Sequence, residues 1–209
     1  NLRKLAFKAQ SGFDLENLST RLQLTPERIA LEKLLLKTPR SNLVSDSIHL
    51  YHDQYQGFKE PFSRLRFDLS IQPSTIAFHD LAYLSKAFEK APDRPFDFSG
   101  HIKGRINNLK GQQVHIAVGN QTELLTDFSL DGLPDISRTF MYIDMKHFYT
   151  SMNDLDVINS FLPPKVRMDL PESFNNMGRI RYEGNFTGFV DDFVAYGTMN
   201  TNLGEVSTD

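Results

Sequence analysis

The run Arg64-Leu65-Arg66-Phe67-Asp68-Leu69-Ser70-Ile71-Gln72 alternates polar and apolar residues without a break. Successive side chains of a strand point to opposite faces, so Leu65, Phe67, Leu69 and Ile71 share one side and the polar residues take the other. One side meets water, and the other needs an apolar partner. The same period recurs from Phe13 to Leu24, at Val114, Ile116 and Val118, and at Leu124, Thr126, Phe128 and Leu130. A chain built from such segments has to pair them into a sheet and shelter one greasy face.

Turn residues punctuate these runs. Thr25-Pro26-Glu27, Thr38-Pro39-Arg40-Ser41, Gly119-Asn120 and Asp131-Gly132-Leu133-Pro134-Asp135 each end a strand. Pro73-Ser74 reads as a hairpin turn with a return strand from Thr75, and Lys110-Gly111-Gln112 as a second hairpin turn. The segment Arg28 to Lys37 reads as strand, although its Ile29, Lys33 and Leu36 spacing also permits a helix. Met141, Ile143 and Met145 form an inward set, with Phe140, Tyr142 and Phe148 expected on the opposite face.

Only brief helices interrupt the strands. One is expected near 80–89, with Asp80 as its cap and Leu81, Leu84 and Phe88 on its apolar stripe. Others are expected near 153–162, ended by Pro163-Pro164, and near 171–177. Ala91-Pro92-Asp93-Arg94-Pro95 is a rigid connector that divides the chain into a β-rich part at 1–95 and a second at 96–209. A repeat links parts of the second: Ile102-Lys-Gly104-Arg-Ile106-Asn-Asn-Leu109 and Tyr182-Glu-Gly184-Asn-Phe186-Thr-Gly-Phe189 share the form apolar-x-Gly-x-apolar-x-x-apolar. Recurrence of this kind suggests strands stacked along one axis. The tally of many short strands with few helices indicates an all-β sandwich, barrel or solenoid.

Chemistry-bearing constellations are sparse. His49 and His52, with Asp53 nearby, do not bring their rings onto one ligand shell at strand spacing and read as exposed polar residues. Asp191-Asp192 points its carboxylates in opposite directions on a strand and cannot flank a glycosidic bond, so it reads as a turn. No nucleophile elbow and no phosphate-binding loop is present. Cysteine is absent, which excludes disulfides and Cys-ligated metal. Net charge is −3 with no basic stripe, which argues against nucleic acid. No apolar run approaches the ~20 residues of a membrane span. The chain is therefore read as a non-enzyme with no cofactor and no metal, excised from something longer.

Three further stretches resemble a known family in their order. Ile102 to Leu109 resembles the Gly-containing strand of the TamB and AsmA-like bacterial envelope proteins. Asp131-Gly-Leu-Pro-Asp135 with Thr139-Phe140 and Thr150-Ser-Met-Asn-Asp154-Leu155 resembles a second family stretch. Gly178 to Phe189, Asp192 to Gly197 and Thr201-Asn-Leu-Gly204 resemble the closing repeat, in the long spacing of Bacteroidetes-type members. The likeness covers Phe96 to Asp209 best. It extends to the first ninety residues through Leu34 to Ser41 and the Leu65–Ile71 strand.

The resemblance implies an elongated, curled antiparallel sheet, a half-pipe or β-taco with an apolar lumen and two or three short helices. Both parts of the chain would belong to one continuous groove. It further implies a periplasmic location in a parent anchored to the inner membrane, an Omp85-type outer-membrane barrel as partner, and transport of phospholipid between the two membranes. A scaffold role in outer-membrane protein translocation and assembly is the alternative. The residues expected to line the groove against acyl chains are Leu65, Phe67, Leu69, Ile71, Val114, Ile116, Val118, Phe128 and Leu130. An open groove and a closed sandwich, including one that binds glycan, need the same alternation, and the sequence leaves that choice open.

Overall fold

In the computed structural model, which describes residues 2–10, 12–51, 65–83, 94–133, 135–155 and 176–208, the alternating segments form a single sheet. Its strands are β1 (Leu2–Lys8), β2 (Asp14–Leu24), β3 (Arg28–Lys37), β4 (Asn42–Tyr51), β5 (Arg66–Ala77), β6 (Pro95–Arg105), β7 (Asn108–Val118), β8 (Thr122–Asp131), β9 (Phe140–Ser151), β10 (Arg179–Gly188), β11 (Phe193–Thr201) and β12 (Gly204–Thr208). They lie side by side in chain order, each antiparallel to the next. β12 does not return to β1, so the sheet stays open. A short helix, α1 (Phe78–Ala82), follows β5, and Ile136–Arg138 forms a 3-10 turn before β9. The connector at 91–95 does not divide the sheet, because β5 pairs with β6 from Arg66↔Arg105 to Ala77↔Pro95.

Residues opposite each other on neighbouring strands share a face. Traced strand by strand, the register therefore sorts side chains from β1 to β12 into two sets. One set is mainly apolar, with scattered Ser, Thr and Gly, and the other is mostly polar and charged. The polar set carries cross-strand pairs such as Glu32–His49 at 2.7 Å and Asp68–His101 at 2.6 Å. Arg66 lies over the Tyr51 ring on the same side, 4.4 Å from its centroid.

The strands bend where bulges line up. Lys33 is an extra residue in β3, Asp46 in β4, Gln72-Pro73 in β5, Gln113 in β7 and Lys146 in β9. Lys33 and Gln113 take positive φ, at 51° and 49°. These sites fall in one row across the sheet, because Leu34 pairs with Ser45, Ser45 with Ile71 and Ile71 with Gly100. The row continues through Val114↔Thr126, Thr126↔Met145, Met145↔Gly184 and Gly184↔Gly197. A bulge increases local bend and twist, so a row of them creases the sheet perpendicular to its strands. Glycine completes the crease in β10 and β11, where a Cβ on Gly184 would stand 2.6 Å from the Cα of Gly197. The apolar set turns inward along this crease, and the molecule is a curled half-pipe.

Several expectations need correction. Pro73-Ser74 is no hairpin turn: Arg66 to Ala77 is one strand, with the proline at the bulge, where it withholds no ladder hydrogen bond. Lys110-Gly111-Gln112 lies within β7, and the turn is at Ile106-Asn107. Phe148 shares the face of Met145 and Ile143, because the Lys146 bulge resets the alternation. Asp80 does not cap α1. The cap position is Ala77, and Asp80 lies inside the helix with its carboxylate directed elsewhere. The glycine repeat is displaced by four residues. Gly100 and Gly184 both sit in the crease, while Gly104 and Gly188 both precede a tight turn, so Gly184 corresponds to Gly100. Arg28 to Lys37 is strand, as read. Most of the expected helices lie outside the described residues; Asn176-Met177 forms part of a 3-10 turn and Met152 to Leu155 one helical turn.

Candidate functional site

The inner face is the largest chemical feature of the chain. Register places Phe67, Leu69 and Ile71 of β5 on it, with Val114, Ile116 and Val118 of β7 and Phe128 and Leu130 of β8. Leu65, just ahead of β5, keeps their parity and is buried. All nine expected lining residues therefore share one surface. Val114 is buried at the crease, and the other seven are half-buried. Hydrocarbon that a second layer had sealed would be fully buried; these side chains keep part of their surface open.

Alternation in the sequence marks only the middle of this surface. Leu18, Leu31, Leu34, Leu36, Ile48 and Leu50 extend it across β2 to β4, and Met141, Ile143, Phe148 and Phe186 across β9 and β10. The signal for Leu34 and Leu36 is the run Leu34-Leu35-Leu36, whose phase is set by the bulge at Lys33. With adjacent strands about 4.8 Å apart, the trough from β1 to β12 is about 50 Å long.

Hydroxyls line its floor without making it polar. Ser45 donates to the Ser70 carbonyl at 2.6 Å, and Thr126 to the Asp144 carbonyl at 2.9 Å. Thr20 donates to the Glu32 carbonyl at 3.1 Å, and Ser74 to the Gln72 carbonyl at 2.7 Å. Each of these carbonyls lies at or beside a bulge, where the ladder is interrupted. The hydroxyls supply the missing donors, and both groups are spent within the sheet. All four side chains are buried, so these positions present almost no polar surface to the lumen.

One rim of the trough is overhung by α1. Leu81 and Tyr83 stand over Leu36, Leu43 and Ile76, lining an open-mouthed apolar pocket of about 460 Å³ with Phe13 at its side. The Phe13 and Tyr83 rings meet edge to face at 5.2 Å. A carboxylate holds this overhang in place. Asp80 accepts hydrogen bonds from Thr38 Oγ1 at 2.6 Å and Ser41 Oγ at 2.5 Å, and Ser41 Oγ in turn accepts the Ala77 N–H at 2.9 Å. The arrangement recurs four strands later. Asp154 follows β9 at the same offset at which Asp80 follows β5, and accepts from Thr122 Oγ1 at 2.8 Å. Thr122 and Thr150 are also bonded, at 2.9 Å.

Titratable groups are not gathered into a reacting centre. On the inner face, burial pushes the Tyr182 phenol up from its ordinary value. Its hydroxyl donates to the Tyr196 carbonyl at 3.1 Å. His49 is engaged by Glu32, while His52 and Asp53 lie outside the described residues. Asp191 and Asp192 fall in the β10–β11 turn. Among the described residues no group of three or more His, Asp or Glu side chains is placed to hold a metal ion, and no helix is long and apolar enough to cross a membrane.

No protein-family model, no curated protein and no solved structure matches this chain.

Proposed function

We propose that this chain is a stretch of a lipid-carrying groove, in which phospholipid acyl chains lie along the inner face and head groups remain at the open seam. The observation that supports this reading most is the continuity of the apolar inner face from β1 to β11 of an unclosed sheet, with most of its large side chains only partly covered. Covering each such side chain stabilises by about 1.5–3 kcal/mol at full burial, whether the cover is protein or hydrocarbon. Contacts of this kind are non-directional, so neighbouring positions hold a tail about equally and a lipid can shift along the trough without one deep trap. The TamB and AsmA-like resemblance supports the same reading, with a periplasmic location and transfer between inner and outer membranes. The sequence carries no phosphate-binding loop that could couple nucleotide hydrolysis to movement, so direction would come from other parts of a larger assembly.

The experiment is to purify the chain and measure phospholipid bound per molecule by mass spectrometry, then repeat with Ile71→Asp and Ile116→Asp. Bound phospholipid that falls sharply in both variants, with the far-UV circular dichroism retained, is the expected result. Loading that neither substitution alters would overturn it. A second reading, a scaffold for assembly of outer-membrane proteins alongside an Omp85-type barrel, draws on the sheet not closing on itself, which leaves strand edges among the described residues. An exposed edge can template a client strand through its backbone. A proline at Val206 would then abolish client binding and leave lipid loading intact.

A further inference from the structure

The outer face changes character along the sheet. From β2 to β7 it is polar, with Arg21, Glu32, Lys37, Arg66, Asp68 and Lys103 among its members. Across β9 to β11, at the rim opposite to α1, it becomes aromatic. Phe140 and Tyr142 of β9 and Val194 and Tyr196 of β11 point outward, on the face that the pairings Asp131↔Phe140, Ser129↔Tyr142, Thr187↔Val194 and Asn185↔Tyr196 define. Phe189, in the next turn, meets Phe140 edge to face at 5.5 Å. These five side chains are 38–51 % exposed. They lie on the far side of the sheet from the trough, so the lipid reading gives them no role. Five large apolar groups clustered on an otherwise polar face mark an interaction site.

Charge around the patch identifies what fits it. Asp131 borders Phe140, and Asp191 and Asp192 stand in the turn beside Phe189. All three are exposed and carry no ion pair among the described residues. Lys146 is paired with Asp144 and Arg138 with Asp135, while Arg179 and Arg181, exposed on the same face of β10, stand toward the end of that strand away from Phe189, with Glu183 between them and the patch. An aromatic centre with an acidic border repels an anionic bilayer and repels a second copy of itself, and it attracts a cationic chain. Tyrosine faces add to this by accepting a guanidinium or ammonium group, as Tyr51 does from Arg66 in the same sheet. We propose that the outer face of β9 to β11 is a docking site for a basic polypeptide segment, one that presents apolar anchors flanked by Lys or Arg.

The test uses the whole chain and two synthetic probes, a fluorescein-labelled peptide alternating Leu with Lys and its counterpart alternating Leu with Glu, read by anisotropy. The Lys peptide should bind and the Glu peptide should not. Binding should weaken about tenfold in the double variant Tyr142→Ser/Tyr196→Ser, as expected for paired aromatic anchors. The turn variant Asp191→Asn/Asp192→Asn removes charge at exposed positions and should flatten the salt dependence. Ile116→Asp, on the opposite face, should leave peptide binding unchanged while lowering lipid loading, which separates this site from the groove. Equal binding of the two peptides, or no binding of the Lys peptide, overturns the proposal. So does flotation with phosphatidylglycerol vesicles that depends on Tyr142 and Tyr196, or a dimer in sedimentation that the tyrosine variant dissolves.

Discussion

The Thr126 hydroxyl donates to the main-chain carbonyl of Asp144 at 2.9 Å, across the strand pair that the Lys146 bulge interrupts. Thr126 is 3 % exposed. Replacing it with the nearly isosteric valine keeps the shape and removes the donor, leaving a carbonyl at the bulge without its partner. An orphaned buried acceptor costs about 1–3 kcal/mol. Thr126→Val should therefore lower the urea midpoint without changing the slope of the transition, and Thr126→Ser should recover most of the loss. A valine variant as stable as the parent would mean that the floor hydroxyls do not support the crease.

The two faces of this sheet are legible in the sequence because alternation is a strictly local signal. Seven letters suffice to put Leu65 to Ile71 on one side, and the register sets Phe67, Leu69 and Ile71 on a common face. The bulges are not legible. Each adds a residue and shifts the phase of the strand beyond it, and the sequence around it imitates something else. Pro73 imitates a hairpin turn, Gly111 another, and Lys33 a helix-compatible break. Unbroken alternation puts Phe148 on the wrong face for that reason alone. Whether a glycine serves the crease, as Gly184 does, or a turn, as Gly104 does, depends on its partner across the sheet, and one strand's sequence does not contain that. The latch between Asp80 and Thr38 is hidden on the same ground: its members are 42 residues apart.

Burial along a strand should be graded from crease to rim, and stability should track it. Val114 is 1 % exposed and Leu24 is 63 % exposed, although both belong to the inner face. Val114→Ala deletes two methyl groups from a packed position and should cost about 1–3 kcal/mol. Leu24→Ala deletes more carbon yet should cost less than about 0.5 kcal/mol, because little of it is sheltered. Chemical denaturation of the two variants side by side measures the difference. Equal costs would show that the rim is covered as thoroughly as the floor.

Alkaline pH should weaken the β9–β11 region through Tyr182. Burial raises its folded-state pKa above the ordinary 10.0. The folded state thus holds the phenolic proton more tightly than the unfolded chain does. The resulting stabilisation is complete below pH 10, and it is lost as pH rises through the elevated value. Tyr182→Phe should be less sensitive than the parent in that range. Thermal melts recorded from pH 9 to pH 11, with tyrosinate absorbance measured in parallel, test this; an identical fall in both proteins would assign the sensitivity to other groups.

A carboxylate latch should be what keeps α1 over the rim. Asp80 receives two hydroxyl donors from the β3–β4 turn, and Ser41 relays the contact to the Ala77 amide at the end of β5. Asp80→Asn retains one carbonyl oxygen but loses the charge that shortens both bonds, a change of about 1–3 kcal/mol in a hydrogen bond to an ionised group. Because α1 packs mainly against β5, the loss should be local. The Ala77 amide should exchange its hydrogen faster in the variant, while amides near Val114 keep their protection. Release of α1 also uncovers Leu36, Leu43 and Ile76, so the fluorescence of an apolar dye should rise in Asp80→Asn. Asp154→Asn provides the comparison, since it weakens the bond from Thr122 at the corresponding position four strands away and should leave exchange at Ala77 unchanged. If Ala77 exchanges equally in both variants and the parent, the carboxylate is not what fixes the overhang.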